Sequence, residues 1–580
     1  MGAVDATLTE ALVVLRGAWA RVMSNVLRDR AVLWIGSAVS REKLPPLHDL
    51  LLLLFNRLHD AQDPTNVNCP YQEVERQVIA LSTVTGLDIT QAPAAWPHTQ
   101  REQLLNQLTD KYADVFEIHL QIGAAAQDLP WEFLKLHEVY SDKTITPDAE
   151  HRFLALLMAE GAVSQVITTN WDPLIERAYA ALACRPALQV VACNAELNLL
   201  GFGSVVFKIH GCADAMRGDP PRYKHNMVVS RDDINRWTSR EFFQPFREGV
   251  RTLLRAKQAV FIGISGQDFN LQAQCVTAAI GDVTYPVDPP RIVFTVTEIG
   301  APQRAILQGL YGADYPANAA TINNGAALPL YGKPLLGALF VQLLIEKLSC
   351  LLDMGDDQFP SNEFVVLSRH GIVMLEQFLT SRYDAVVDPI DRWRTLALEA
   401  PAFIARLLSL YRTQQVPATT STYQPLDHNH IDWMRADQNL LAANLHWLIL
   451  AASLFMEGQA RGSWTLSAPA LSTGEDGQLR VGVAATNEVV IFFVSRADTG
   501  QYKLQHSGAL RVSSGRRVLL IYPAGTEPAR TRRSPVRSFP GAASRAVVSE
   551  IWLEDLANQT LTVDVLLDTI RSLLIAATPI

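Results

Sequence analysis

Short apolar runs alternate with segments of helical periodicity through the first 350 residues of this chain. Buried strands separated by helices pair side by side in a parallel sheet, because each helix carries the chain back across the sheet. The runs are residues 31–35, 163–168, 188–193, 204–209, 259–264 and 291–295. The pattern predicts an α/β, Rossmann-like fold with a mainly parallel sheet.

The alternation is interrupted once and then ends, which predicts the domain organisation. Residues 59–150 are polar loops and helices, predicted to be a helical insertion in a domain that spans residues 1–350. The insertion either packs as part of that domain or closes as a lid over a ligand crevice. Residues 351–425 are predicted to be a helical connector and linker. Residues 426–580 are predicted to form a C-terminal α+β domain that opens with a long helix at 431–456.

Composition excludes several classes of protein. The chain is 48% hydrophobic and 19% charged, which excludes a mostly disordered protein, and its net charge of -9 argues against a chain-wide nucleic-acid scaffold. The cysteines have no CxxC spacing, which favours free thiols in a reducing compartment. The first twenty residues show no secretory signal, so we expect a cytoplasmic protein. The apolar stretch 440–456 contains Asn444 and His446 and is predicted to be a buried helix, not a membrane span.

Small and polar residues follow four of the predicted strands. Turns at residues 36–40 and 263–268 carry glycines that let a backbone approach a phosphate. Segments 168–172 and 208–211 place a carboxamide, a carboxylate and an imidazole at strand ends. Each segment alone is explained by a tight turn, a helix N-cap or a structural histidine. Together they would lie along the carboxyl edge of the sheet, where open α/β sheets bind ligands.

The order of these motifs resembles that of a known family. A small-residue turn, then Thr-Thr-Asn-x-Asp, Lys-x-His-Gly and Gly-x-Ser-x-x-Asp, is similar to the sirtuin superfamily, and in particular to the bacterial sirtuin-like NADase branch found in antiphage defence proteins. Segments 151–160 and 228–233 also fit that branch, and the resemblance covers roughly residues 15–350. The first turn departs from the common Gly-Ala-Gly-x-Ser form, because Ser37 and Ala38 stand where Ala and Gly are usual.

The resemblance implies roles for particular residues. Asn170 would position a ribose hydroxyl or the attacking water, and His210 would be the general base. The other matching positions are implied to line the NAD site, and they are Gly36, Ser37, Ser40, Asp172, Gly263, Ser265 and Asp268.

The implied activity is hydrolysis of NAD+ to ADP-ribose and nicotinamide by a defence effector that depletes NAD when phage infects the cell. Deacylating sirtuins carry a zinc ribbon with paired cysteines after the His-Gly element, whereas residues 211–254 contain only Cys212. We therefore expect no zinc, and hydrolysis is favoured over protein deacylation. Two alternatives stay open: a sensor that binds NAD or ADP-ribose, and an NAD-dependent deacylase or ADP-ribosyltransferase.

The C-terminal domain is predicted to serve sensing or assembly. Arg530, Arg532, Arg533 and Arg537 lie in a stretch without acidic residues and are candidates for binding nucleic acid or a phage-derived trigger. The alternative is a solvated loop. We expect a homo-oligomer or a complex with a partner protein, and no membrane association.

Overall fold

The computed structural model describes most of the chain. It covers residues 5–576 apart from 64, 67, 199, 202, 265–275, 278–279, 282, 414–422, 438, 441–442, 468–478, 484–487, 494–516, 523–535, 541–546 and 560–561. The strands of its first 300 residues are β1 (Ala31–Ile35), β2 (His119–Ile122), β3 (Ala125–Asp128), β4 (Gln165–Thr168), β5 (Gln189–Val191), β6 (Val205–Lys208), β7 (Gln258–Ile262) and β8 (Ile292–Phe294).

A parallel sheet of six strands forms the centre of the first part of the chain. Its order is β5-β6-β4-β1-β7-β8, and each strand pairs in parallel with its neighbours. All six predicted apolar runs supply strands, so the predicted α/β fold is confirmed. The chain passes from β1 to β4 on one side and later places β7 on the other side of β1. Such a reversal of strand order opens a crevice at the carboxyl edge of the sheet.

The sheet is covered on both faces, which explains why its strands are apolar throughout. Along β1, Leu33 and Ile35 belong to one buried cluster and Val32 and Trp34 to the other, because successive side chains of a strand point to opposite faces. The ring of Trp34 stacks on Phe261 with centroids 5.1 Å apart. Two covered faces are the usual condition for a parallel sheet.

The helices surround this sheet and continue beyond it. In chain order they are α1 (Leu8–Arg16), α2 (Ala20–Leu27), α3 (Leu47–Asp60), α4 (Pro70–Ala80), α5 (His98–Thr109), α6 (Tyr112–Val115), α7 (Leu136–Tyr140), α8 (Ala149–Ala159), α9 (Leu174–Ala181), α10 (Asn194–Leu197), α11 (Ala213–Gly218), α12 (Pro220–Tyr223), α13 (Arg231–Ser239), α14 (Gln244–Ala256), α15 (Ala301–Tyr311), α16 (Tyr315–Ala326), α17 (Gly332–Gly355), α18 (Asn362–Asp384), α19 (Pro389–Thr413), α20 (Ile431–Met434), α21 (Leu445–Ala460), α22 (Leu553–Gln559) and α23 (Val563–Ala576).

The predicted insertion at residues 59–150 shares a third apolar cluster with α3, the helix that precedes it. Helices α3, α4 and α5 pack around Leu54, Phe55 and Leu104, and the cluster also includes Met227 from the α/β part of the chain. The insertion also contains the β2–β3 hairpin, which the sequence analysis did not predict. β2 alternates polar and apolar residues over only four positions, His-Leu-Gln-Ile, whereas β3, Ala-Ala-Gln-Asp, shows no alternation, and only Leu120 of the two strands is buried. The role of the insertion as a lid stays a prediction.

The long helix predicted at residues 431–456 is wrong as a single element. The structure has the short helix α20 and then α21, which begins only after Asn444. Asn444 has a backbone φ of 56°, in the left-handed region that asparagine tolerates better than most residues. Helical periodicity continued through this stretch, but α20 already ends at Met434, and the left-handed residue Asn444 directly precedes the start of α21.

The central helix α17 belongs to the core. The stretch Gly332–Gln358 is long and apolar enough to cross a membrane by length and composition, with a mean hydropathy of 1.9 over its most apolar window. Of that window, 78% is buried inside the protein, as is usual for a core helix. Phe340 of this helix packs on Phe153 of α8, with ring centroids 6.1 Å apart.

A second, mixed sheet follows in the C-terminal part of the chain. Its strands are β9 (Thr465–Ser467), β10 (Leu479–Gly482), β11 (Glu488–Phe493), β12 (Arg517–Tyr522), β13 (Val536–Pro540) and β14 (Val547–Trp552), in the order β13-β14-β12-β11-β10-β9. Strands β11, β12 and β14 are parallel, and the outer pairs are antiparallel. This confirms the predicted C-terminal α+β region. One continuous hydrophobic cluster joins this sheet to α21, α18 and α17 and to one face of the first sheet.

A fully buried ion pair lies where these parts meet. Nζ of Lys347 in α17 is 2.7 Å from Oε2 of Glu160, which follows α8, and neither side chain is exposed. Nζ also donates to the backbone carbonyl of Asp427. Oε1 of the same glutamate accepts from the hydroxyl of Tyr423 and from the N–H of Leu426. The pair therefore fixes residues 423–427 against the α/β part of the chain.

Candidate functional site

The ends of β1 and β7 interlock at the crevice of the sheet. Gly36 and Gly263 each follow a paired strand residue, Ile35 and Ile262. The N–H of Gly36 donates to the carbonyl of Ile262 at 2.8 Å, and the N–H of Ala38 donates to that of Gly263 at 3.1 Å. The two turns that the sequence analysis singled out are therefore in direct contact.

The turn after β1 is a 3-10 turn, Ser37–Val39, and α3 begins only at Leu47. The N–H groups of Gly36, Ala38, Val39 and Ser40 all donate to backbone carbonyls. Among the turn residues, the N–H of exposed Ser37 is therefore the one that the described contacts leave for a ligand. A phosphate at this turn would approach Ser37 first.

Close packing explains the glycine at position 36. A Cβ atom on Gly36 would lie 2.5 Å from the carbonyl oxygen of Gly263 and 2.7 Å from Cγ1 of Ile264. Gly263 itself has a φ of 70°, a conformation that residues with a side chain rarely adopt. Both glycines are thus required by the contact between the two turns.

We expect Gly36→Ala to push these turns apart and to lower the free energy of unfolding by about 1–3 kcal/mol, the usual cost of overpacking. Thermal unfolding with and without NAD measures both the loss and any weakening of ligand binding. Gly218→Ala is the matched control, because a Cβ atom there meets nothing within 4 Å. Equal unfolding temperatures for the two variants would contradict the packing argument.

Asn170 is held at the exit of β4 by its neighbours. Its N–H donates to Oγ1 of Thr168 at 3.0 Å. Its Nδ2 donates to the carbonyl of Gly36 and to Oγ of Ser40, each at 3.2 Å. The residue is 8% exposed. Among the residues that the structure describes, no donor reaches its Oδ1. A buried carbonyl without a partner costs roughly 1–3 kcal/mol, so this oxygen is suited to accept from a ligand or a water.

His210 stands at the equivalent position of the neighbouring strand. The sheet pairs Thr168 with Lys208, and Asn170 and His210 each lie two residues beyond these partners. The carbonyl of His210 accepts from Val228 at 3.1 Å, and the side chain is buried with 5% exposure. Neighbouring strands lie about 4.8 Å apart, so the register brings the two predicted catalytic positions to one edge of the sheet.

Gly211 lets the chain turn directly after the histidine. Its φ is 87°, and a Cβ atom there would lie 2.6 Å from Sδ of Met227 and 2.8 Å from the carbonyl oxygen of Asn226. The Lys-x-His-Gly motif therefore needs glycine for a left-handed turn that packs against the segment leading to α13.

Asp172 and Lys208 have structural contacts at the same edge. Oδ1 of Asp172 accepts from the N–H of Leu174 at the start of α9, and its backbone carbonyl accepts from Nζ of Lys208. Nζ of Lys208 also lies 2.8 Å from Oε1 of Glu176. Burial disfavours the ammonium, but the Glu176 carboxylate, together with the nearby Cys212 and Asp172, outweighs burial and raises the pKa of Lys208 above its usual range. These contacts fix the exits of β4 and β6 relative to each other.

The structure adds His151, to which the sequence analysis gave no role. Its Nε2 lies 3.0 Å from Oγ of Ser40, the same atom that Asn170 contacts. His151 is the third residue of α8 and has no exposed surface. In the sequence, His151 stands between Glu150 and Arg152 in the polar first turn of α8, so nothing in its neighbours indicated that its side chain is buried at the site.

Some predicted residues lie outside the described part of the chain. They include Ser265 and Asp268 of the fourth motif and Arg530, Arg532 and Arg533 of the basic stretch. Arg537 lies in β13, where the backbone register of the antiparallel strands places it opposite Glu550 of β14. Within the described ranges, no group of three or more His, Cys, Asp or Glu side chains could hold a metal ion.

A cluster of charged side chains adjoins His151 through Asp148, whose N–H donates to the ring. Nζ of Lys333 is 2.7 Å from Oε1 of Glu42, 3.5 Å from Oδ2 of Asp148 and 3.3 Å from Oε1 of Glu150. Arg394 of α19 binds both Asp148 and Glu42, at 2.6 Å and 3.2 Å. The cluster joins the connector to the loop after Ser40 and to the start of α8. Burial raises the pKa of Glu150 from 4.5 to about 7.

This raised pKa predicts a pH-dependent stability. The folded protein binds the Glu150 proton more tightly than the unfolded chain, so the contribution of this group is fully present below pH 4.5 and is lost as pH rises through about 7. Glu150→Gln should remove a slope of at most about 1.4 kcal/mol per pH unit from urea unfolding between pH 5 and 7. Burial raises the pKa of Glu75 to about 7 as well, so Glu75→Gln removes only its own share and serves as the comparison. An unchanged slope in Glu150→Gln would refute the assignment.

Comparison with known families agrees with this geometry. Residues 164–305 match the family model of the SIR2-like domain. The match begins just before β4 and includes Asn170, His210 and Gly263. Gly36 and His151 lie outside the matched residues, but the fold places them at the same edge of the sheet. No curated protein matches the chain. Residues 164–305 are thus similar to a SIR2-like domain, which supports the sirtuin-like resemblance of this part of the chain and is consistent with the use of NAD.

Proposed function

We propose that this protein hydrolyses NAD+ to ADP-ribose and nicotinamide. The observation that carries the proposal is the buried carboxamide oxygen of Asn170, which has no donor among the described residues and lies on the crevice edge of a SIR2-like domain. An amide fixed through its Nδ2 can hold a ribose hydroxyl or a water with its oxygen.

The chemistry requires orientation more than strong acid catalysis. Nicotinamide leaves NAD+ as a neutral molecule, and the barrier is the oxocarbenium character that develops at the ribose. Asn170 would orient the sugar or the water, and His210 would accept the proton of the attacking water. An imidazole suits this step because its ordinary pKa is near 6.5.

We further propose that the protein is a cytoplasmic defence effector that depletes NAD when phage infects the cell. The sequence resemblance to bacterial sirtuin-like NADases of antiphage defence supports this role. The C-terminal region, joined to the α/β part by one hydrophobic cluster, is a fitting place for a trigger or a partner to act. We also propose that the protein acts either as a homo-oligomer or in a complex with a partner protein.

The alternative is a sensor that binds NAD or ADP-ribose without turnover, and a third possibility is a deacylase or an ADP-ribosyltransferase. The presence of both Asn170 and His210 favours an enzyme over a sensor. The single cysteine in residues 211–254 favours water over an acyl-lysine substrate.

The deciding experiment incubates the full chain with NAD+ in H₂¹⁸O and follows nicotinamide and ADP-ribose by chromatography and mass spectrometry. It is run alone, with phage lysate and with nucleic acid. We expect nicotinamide release together with one ¹⁸O atom in ADP-ribose. Binding of ADP-ribose without release in any condition would favour the sensor. Release that depends on an acylated peptide would favour the deacylase.

A further inference from the structure

The surroundings of His151 are more polar than simple packing in a core would require. It is fully buried, and both of its ring nitrogens have polar neighbours. Nδ1 accepts from the backbone N–H of Asp148 at 3.2 Å, and Nε2 lies 3.0 Å from Oγ of Ser40. These contacts determine which nitrogen carries the proton.

The contact with Asp148 fixes the tautomer. A backbone N–H only donates, so Nδ1 must be the unprotonated nitrogen, and the proton of a neutral ring lies on Nε2. Burial lowers the pKa of His151 to about 4, so the ring is neutral at physiological pH. Nε2–H therefore donates to Oγ of Ser40.

The amide of Asn170 is oriented by the same reasoning. Its Nδ2 faces the carbonyl of Gly36, and an acceptor there requires the NH₂ end of the amide. The second hydrogen of Nδ2 points to Oγ of Ser40. Ser40 thus receives two hydrogen bonds, and within the described part of the chain its own O–H is given no acceptor.

We propose that His151 is a positioning residue of the nucleotide site, whose Nε2–H makes the Ser40 hydroxyl a donor toward an oxygen of the ligand. By occupying one lone pair of Ser40, the imidazole leaves the serine proton for a phosphate or ribose oxygen. The same contact holds Asn170 with its Oδ1 toward the ligand. This inference rests on the proposed function for its ligand class, a nucleotide with a pyrophosphate and ribose hydroxyls.

The test compares two substitutions of similar size and polarity. His151→Gln can present an N–H at the position of Nε2, whereas His151→Asn ends near the position of Nδ1 and cannot reach Ser40. We expect His151→Asn to weaken ADP-ribose binding and to lower kcat/KM for NAD+ by about tenfold, the loss expected for one hydrogen bond to a charged group. We expect His151→Gln to stay within about threefold of the wild type.

A double-mutant cycle with Ser40→Ala separates positioning from packing. If His151 acts through Ser40, the double variant His151→Asn/Ser40→Ala binds ADP-ribose no more weakly than Ser40→Ala alone. Additive losses, or equal losses in His151→Gln and His151→Asn, would overturn the inference. Calorimetric binding of ADP-ribose does not need turnover, so it decides the role of His151 even if NAD+ is not hydrolysed. Absence of ADP-ribose binding by the wild type would overturn the inference about His151, whereas the proposed hydrolysis is decided separately by nicotinamide release.

Discussion

Replacing Asn170 or His210 with alanine should lower NAD+ hydrolysis by about 10²–10⁴-fold while the protein stays folded. A general base in position contributes roughly 10²–10⁴-fold, and a misplacement of the reacting groups by 1 Å costs about 10²-fold. Each substitution removes only one polar side chain at the edge of a large apolar core, so the temperature of thermal unfolding should change little. The measurement is the initial rate of nicotinamide release with saturating NAD+.

Two surface residues provide the matched controls for this experiment. Asn198→Ala and His225→Ala remove the same side chains from exposed positions of the same domain, and neither should change the rate by more than about twofold. Turnover that survives in both Asn170→Ala and His210→Ala would remove the assigned site. Loss of turnover together with loss of folding would instead assign these residues to the core.

The second large effect concerns stability. Glu160→Gln should lower the free energy of unfolding by about 3–5 kcal/mol, because it leaves the buried ammonium of Lys347 without its counter-charge. The measurement is the first transition in urea unfolding, followed by fluorescence. We expect residues 423–427 to become accessible to protease at lower urea than in the wild type.

An exposed ion pair serves as the comparison for Glu160. Nη2 of Arg369 lies 2.9 Å from Oδ1 of Asp353, and both side chains are at least half exposed. Asp353→Asn should therefore cost between 0 and about 1 kcal/mol. A loss of less than about 1 kcal/mol in Glu160→Gln would show that the buried pair does not hold the segment.

The sheet could be predicted from the sequence because its strands are continuous apolar runs with helices between them. The placement of Asn170 and His210 at the carboxyl edge of the sheet could also be predicted, since each residue directly follows one of these runs. The β2–β3 hairpin could not, because the alternation in His119–Ile122 is only four residues long and Ala125–Asp128 shows none.

Contacts that join distant parts of the chain lie beyond sequence patterns. Ser40 and His151 are 111 residues apart, and Glu160 and Lys347 are 187 apart. Nothing local in either segment indicates its partner, because the fold alone brings them together. The separation of α20 from α21 escaped prediction for a different reason, since helical periodicity indicates neither the end of α20 at Met434 nor the left-handed residue Asn444 before α21.

The continuous hydrophobic cluster has a consequence for how the protein is made. Phe153 of α8 packs on Trp393 of α19, and the same cluster extends to the last strands and to α23. A ribosome that adds roughly 5–20 residues per second needs about 10–50 s to synthesise residues 351–580. During that interval the nascent α/β half exposes the apolar face that the later half will cover. Its maturation is therefore tied to synthesis of residues 351–580, and a chaperone that shields this face should bind the growing chain until α23 emerges.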